Sequence, residues 1–310
     1  MKLSIRITFV FCYLCVWPLT SQVDKTSVLI RSDDFGMSHA VNMALPELIQ
    51  TGIPFNASVM MPCAWAQEAA DLLKEATHVS AGIHLTLTSE FEQMKWGPVA
   101  GLNAVPSLVD DRGYFRSSVR EFLLSDYDLN EVETELRAQI ERALALNMEI
   151  DYLDHHMGIA RSTPEIAAIV EKLAEEYGLA ISRYFNETTA DAWGAPIDDK
   201  VNVILNKLNN LDQDRINMLV FHTAQNNPEL AILNDLNTHL MTDQTSGMSV
   251  IAGHRNAELK VFTSKEFSDQ LKGKKVITYK DLKNDWLDQM RRNAIIYESI
   301  EASKISNQSR

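Results

Sequence analysis

The run Ser27-Val28-Leu29-Ile30-Arg31-Ser32 is rich in β-formers and stops at Asp33-Asp34-Phe35-Gly36, so it reads as a buried strand that delivers two carboxylates to a loop. The same rhythm continues to Gly178, interrupted once between Ser89 and Tyr127. A helical pattern covers Val41 to about Gln50 before Gly52, a strand is expected over Ala57 to Met61, a helix over Ala64 to Lys74, and a strand over Val79 to Thr88 with His84 at its centre. Val132, Leu136, Ile140 and Leu144 form the apolar stripe of another helix. Ile150 to Leu153 then reads as a strand running into Asp154-His155-His156, and Thr163-Pro164-Glu165 opens a helix that ends at Gly178. Further strands are expected over Met218 to Phe221, ending in His222, and over Lys275 to Tyr279. Strands alternating with helices predict βα units around a mainly parallel sheet. The 310 residues suffice for a single barrel of about 250. The irregular stretch from Ser89 to Tyr127 is long enough to be a functional loop or cap.

The polar signals fall at strand ends: Asp33-Asp34, His84 and Asp154-His155-His156. Parallel α/β folds gather ligands and catalytic groups at the C-terminal ends of their strands. Two imidazoles and a carboxylate suit a catalytic divalent ion and leave positions for water and substrate. One member of the Asp pair can then ligate while the other serves as a base, and His222 is the candidate to protonate a leaving amine. Each residue also has a plainer reading. Asp-Asp after a strand makes turns and helix caps, His84 could be a core histidine, and adjacent His155 and His156 on an extended segment face opposite ways. Trp96 could stack on a sugar face, or simply pack within its loop.

Basic residues number 29 against 42 acidic ones, and the net charge of -13 argues against nucleic acid or an anionic membrane surface as the partner. Lys2 and Arg6 precede an apolar stretch from Ile7 to Leu19 that is too short for a comfortable membrane span, so residues 1–22 read as a signal peptide. The expectation is therefore a secreted or periplasmic protein with no stable membrane insertion after cleavage. Cys12 and Cys15 lie in the removed part, and Cys63 alone allows no internal disulfide. Asn56, Asn186 and Asn307 each open a glycosylation pattern. A domain over 23–288 and a polar C-terminal tail over 289–310 complete the organisation.

Several ordered motifs together resemble the YdjC-like (ChbG/HpnK) carbohydrate deacetylases. They are Ser32-Asp33-Asp34-Phe35-Gly36-Met37-Ser38, Ala81-Gly82-Ile83-His84-Leu85-Thr86-Leu87-Thr88, Leu153-Asp154-His155-His156, Leu219-Val220-Phe221-His222, Arg255-Asn256-Ala257-Glu258-Leu259 and Ile277-Thr278-Tyr279-Lys280-Asp281-Leu282. The resemblance implies an α/β fold, a distorted (β/α) barrel, TIM-barrel-like and a single domain. It implies one divalent metal ion, Zn2+ or Mg2+, held by Asp34, His84 and His156. Asp33 would be the general base and His222 the general acid or a substrate-orienting residue, with Arg183 more loosely matched near the site. The implied reaction is hydrolysis of an N-acetyl group from an acetylated amino sugar or oligosaccharide, and a homodimer is compatible with it. His155 stands where the family commonly has Ser, and two later family histidines are replaced by Met157-Gly158-Ile159-Ala160, which implies different surroundings for the substrate. The rival from another class is a carbohydrate-binding protein that keeps the barrel without catalysis. A glycoside hydrolase using the Asp pair ranks lower, because neighbouring residues on one strand are poorly placed to flank a glycosidic bond.

Overall fold

The computed structural model describes residues 26–238, 243 and 249–284; the expected signal segment, the tail over 289–310 and Asn307 lie outside them. Among the described residues eight strands form one sheet: β1 (Val28–Phe35), β2 (Phe55–Val59), β3 (Val79–Leu85), β4 (Tyr152–His155), β5 (Ala180–Ile181), β6 (Glu187–Asp191), β7 (Ile216–Phe221) and β8 (Val276–Ile277). Their order is β5-β4-β3-β2-β1-β7-β6, and every pair is parallel. β8 pairs with the start of β1 at Val28 and Leu29, just below the point where β2 takes over at Arg31. Parallel neighbours need a crossover between them, and helices supply it. They are α1 (His39–Asn42), α2 (Leu45–Gln50), α3 (Ala66–Leu73), α4 (Val119–Leu123), α5 (Leu129–Ala145), α6 (Pro164–Tyr177), α7 (Lys200–Asn209), α8 (Pro228–Ala231), α9 (Ile251–Phe262) and α10 (Lys265–Leu271).

The sheet curls into a distorted, partly open barrel. Alternation along β1 sends Val28 and Ile30 to the large outer core beneath the helices, while Leu29 joins Tyr152, Ala180, Met218, Val220 and Tyr279 in a small inner cluster. The inner cluster is not purely apolar. Arg31 enters it from the same face as Leu29, and the Tyr152 hydroxyl bonds Ser58 Oγ at 2.7 Å. Gly82 on β3 faces Tyr152 in register. A Cβ at Gly82 would lie 2.4 Å from the tyrosine ring, so this close approach requires glycine. Gly82→Ala is expected to cost about 1–3 kcal/mol by overpacking. A urea titration that leaves the unfolding midpoint unchanged would show that the ring has room to move.

Two departures from the sequence pattern have local causes. The helix expected over Val41 to Gln50 is broken into α1 and α2, with Pro46 in the first turn of the second piece; proline cannot donate to the preceding turn and restricts the residue before it. On α5, Val132, Leu136 and Ile140 are buried but Leu144 is exposed. Each four-residue step overshoots a turn of 3.6 residues, so the stripe has drifted about 120° by its fourth member, and Ala143 faces the core instead. Asn56 is also unavailable for glycosylation, since its side chain is buried between Ile30 O and Tyr279 N.

Candidate active site

The functional candidates emerge where the parallel strands end. Asp33 and Asp34 are neighbours, and on a regular strand they would point to opposite faces. Between Ser32 and Phe35 the β1–β2 register shifts, and Asp34 adopts φ 70°. A bulge of this kind re-aims a side chain, at the cost of a left-handed conformation that a non-glycine residue rarely adopts. Both carboxylates therefore reach one cavity, together with His84 near the end of β3, His156 just beyond β4 and His222 just beyond β7.

Three of these residues converge. Asp34 Oδ1 lies 3.3 Å from His84 Nε2 and 3.4 Å from His156 Nδ1, and one ligand atom from each residue fits within 4.8 Å of the others. All three side chains are buried, yet Asp34 Oδ1 has no hydrogen-bond partner. The far side of every residue is held. His84 Nδ1 donates to Asp154 Oδ1 at 2.8 Å, His156 Nε2 donates to Glu90 Oε2 at 2.9 Å, and Arg255 Nη2 donates to Asp34 Oδ2 at 2.6 Å. Imidazoles tied back to carboxylates are the usual support of metal-binding histidines, because the outer bond fixes the ring and makes its inner nitrogen a better donor. The buried Asp34 oxygen without a partner, facing two oriented imidazoles, is what a divalent cation would satisfy.

The charges agree with this picture. Burial works against ionised Asp34, but Arg255 and the two histidines hold its carboxyl well below the usual carboxylate range. Burial would also lower both imidazoles; Asp154 and Asp33 instead raise His84 to about 10, and Glu90 and Asp34 raise His156 to about 9. A second grouping of Asp33, His84 and Asp154 is also compact enough to suggest a cation. Arg31 already fills that position. Its guanidinium bonds both oxygens of Asp33 at 2.7 Å, approaches Asp154 Oδ2 at 3.1 Å and donates to Ser182 Oγ at 2.9 Å.

Asp33 and His222 form the other half of the cavity, with Asp33 Oδ2 4.0 Å from His222 Nε2. The His222 ring lies against Trp193, tilted by 53° with 4.7 Å between ring centroids, and its backbone N–H donates to Glu258 Oε2 at 2.6 Å. The other Glu258 oxygen accepts from fully buried Lys200 Nζ at 2.8 Å, which also donates to Ala192 O at 2.6 Å. One lysine thus fastens the loop carrying Trp193 to the helix that positions His222. The resulting cavity of about 430 Å3 is open at the barrel mouth, with Asp191, Asp235 and Met157 among its walls.

The remaining sequence candidates lie elsewhere. Trp96 is not a stacking surface in the cavity: its indole N–H donates to Thr88 O, and its buried ring lies edge-on behind His156. Arg183 lines a neighbouring cavity rather than this one, while His155 lies on the wall common to both. Glu90, Trp193, Glu258 and Arg31 carry no role in the sequence reading. Only Arg31 leaves a local signal, since its spacing of two from Asp33 places them on one face of β1.

Comparisons with known proteins fit this arrangement. A family model described as YdjC-like protein matches residues 27–273. A carbohydrate deacetylase of Brevibacillus brevis is 35% identical over 154 residues, which is 50% of this chain and 58% of that relative. One of Listeria monocytogenes serotype 4a is 34% identical over 159 residues, 51% of this chain and 60% of that protein. The matches thus span about three fifths of the length of these curated relatives. A solved structure from Enterococcus faecalis V583, described as a candidate cellobiose-phosphate cleavage protein, superposes with a TM-score of 0.64 at 20% identity. It covers 83% of this chain and 98% of that one, a likeness of fold.

Proposed function

The chain belongs to the YdjC-like protein family, and from that premise we propose that it is a metal-dependent carbohydrate N-deacetylase. The observation that carries the reading is the unpartnered Asp34 oxygen between His84 and His156, set beside Asp33 and His222 in one open cavity. The sequences named as carbohydrate deacetylases support the substrate class.

In this reading Asp34, His84 and His156 hold one divalent ion, zinc by ligand preference, with magnesium a second choice. When bound, the ion polarises the amide carbonyl and makes water more acidic. Asp33 takes the proton from the attacking water as the new C–O bond forms. His222 Nε2 then gives a proton to the amide nitrogen as the C–N bond breaks, and acetate and a free amino sugar leave. Arg31 holds Asp33 in place through both carboxylate oxygens. Trp193 limits the swing of the His222 ring and offers the cavity an aromatic face.

The test is acetate release from N-acetylated and O-acetylated saccharides by metal-stripped protein, with and without added zinc or magnesium. Restoration by metal is expected; a folded, metal-loaded protein that releases nothing would instead favour the binding-protein reading. Metal uptake carries its own signature. His84 and His156 titrate near 10 and 9 in the metal-free site, so at pH 7 both are protonated. Their contribution to the stability of the metal-free protein is fully present below about 6.5, the unfolded value, and is lost as pH rises through 9 to 10. Binding at pH 7 is therefore expected to release about two protons per ion. Calorimetric titration in buffers of different ionisation enthalpy measures this number, and a value near zero would show that the two imidazoles are already neutral in the metal-free protein.

A further inference from the structure

At the end of β1 the chain turns through Asp34 and Gly36, whose φ values are 70° and 87°. A Cβ at Gly36 would come within 3.1 Å of Met60 O and Ala66 Cα, so the turn is packed as closely as glycine allows. Backbone groups hold much of it. Asp34 O accepts from Met37 N–H at 3.1 Å, Phe35 O from Met60 N–H at 2.8 Å and Gly36 O from Trp65 N–H at 3.1 Å. The Gly36 N–H goes to a side chain instead, donating to Asn42 Oδ1 at 2.7 Å.

Asn42 is fully buried at the end of the single turn of α1, where asparagine adds little to a helix. Its amide serves the neighbours rather than the helix. Besides the bond from Gly36, Nδ2 donates to Trp65 O at 3.0 Å and to Glu68 Oε2 at 2.9 Å. Only one orientation of the amide fits, because the reverse would set a donor against an N–H and an acceptor against a carbonyl and a carboxylate. Glu68 is anchored in turn by His39 Nδ1, which donates to its two oxygens at 2.9 and 3.1 Å. One side chain thus ties the turn after β1 to the loop before α3 and to α3 itself.

We propose that Asn42 is a positioning residue for the metal site: its amide, anchored on Glu68, holds the turn in the form that aims the Asp34 carboxylate at His84 and His156. The left-handed backbone at Asp34 is disfavoured for a residue with a Cβ and persists only where its surroundings impose it. Relaxation to an extended backbone would send Asp33 and Asp34 to opposite faces of β1. Asn42 lies outside the walls of the cavity, so its effect on the site passes through Asp34. The proposal deepens the deacetylase reading and rests on the metal site assigned there.

The test titrates cobalt(II) into the metal-stripped full chain and reads both affinity and visible absorption, which reports the ligands around the ion. Asn42→Ala should bind cobalt about 10- to 100-fold more weakly than wild type, the cost of removing the support of a metal ligand, and with an altered spectrum. Asn42→Asp combined with Glu68→Gln exchanges the roles of the pair: the new carboxylate accepts from Gly36 N–H and from the new amide. This double variant should return the affinity to within about threefold of wild type, with the wild-type spectrum, by restoring the coupled bond. Asn42→Asp alone sets two carboxylates against each other and should not. Such a rescue is what a merely structural role would not produce, and the comparison of the double variant with Asn42→Asp decides the matter if Asn42→Ala fails to fold. Affinity and spectrum unchanged in Asn42→Ala would overturn the proposal, as would a double variant that binds no better than Asn42→Asp. A wild type that takes up no cobalt would overturn the metal reading, and the proposal with it, before any variant is compared.

Discussion

Asp33→Asn is expected to lower kcat by about 10²- to 10⁴-fold, the range attributed to a positioned general base, equivalent to about 2.7–5.5 kcal/mol of transition-state stabilisation. Metal content and KM should change little, because Asp34, His84 and His156 keep their supports in Arg255, Asp154 and Glu90. The fold should also survive. Arg31 loses one acceptor, but its contacts with Asp154 and Ser182 remain, so the buried guanidinium is still compensated. Single-turnover acetate release, read beside metal content and a melting curve, separates these effects. Turnover within a factor of a few of wild type would move the base to another carboxylate lining the cavity, with Asp191 and Asp235 in position to be considered.

What the sequence discloses about this site is what strand ends disclose. Asp33, Asp34, His84, His156 and His222 each stand at or just past a β-rich run, and parallel topology alone then sends them to a common mouth. The topology is legible for the same reason, since β1, β3, β4 and β7 are apolar enough to mark themselves. β5 has two residues and β6 is half exposed, so neither leaves a periodicity to find. The supports of the site are hidden differently. Glu90 and Trp193 sit in loops whose paths depend on the packing of distant elements. Arg255 and Glu258 are three apart on α9 and share a face, but nothing local tells which way that face turns. The conformation at Asp34 that lets two adjacent aspartates serve one cavity lies outside strand periodicity altogether.

Arg31→Met is expected to have the largest effect on stability, a loss of about 3–5 kcal/mol, as found when one partner of a buried ion pair is removed. Arg31 is buried between Asp33 and Asp154, with bonds to the first and a 3.1 Å contact to the second, so its removal leaves two carboxylates without their shared counter-charge. The pH dependence comes from Asp154. Burial pushes its carboxyl up, but His84 and Arg31 hold it below the ordinary range. A depressed folded value contributes stability above the unfolded value of about 3.9 that fades as pH falls through the folded one. The gap between wild type and variant should therefore be widest near neutrality and narrow as pH falls from about 4 towards the depressed folded value. Urea unfolding at pH 7 and at about pH 2.5 reads this directly; a gap that does not narrow would mean that Arg31 acts through packing alone. Adding Asp33→Asn to Arg31→Met removes one stranded charge, so the double variant should be more stable than the sum of the single losses. Strict additivity would show that Asp33 and Arg31 are not coupled, and the orientation of the proposed base would then have to come from elsewhere in the cavity.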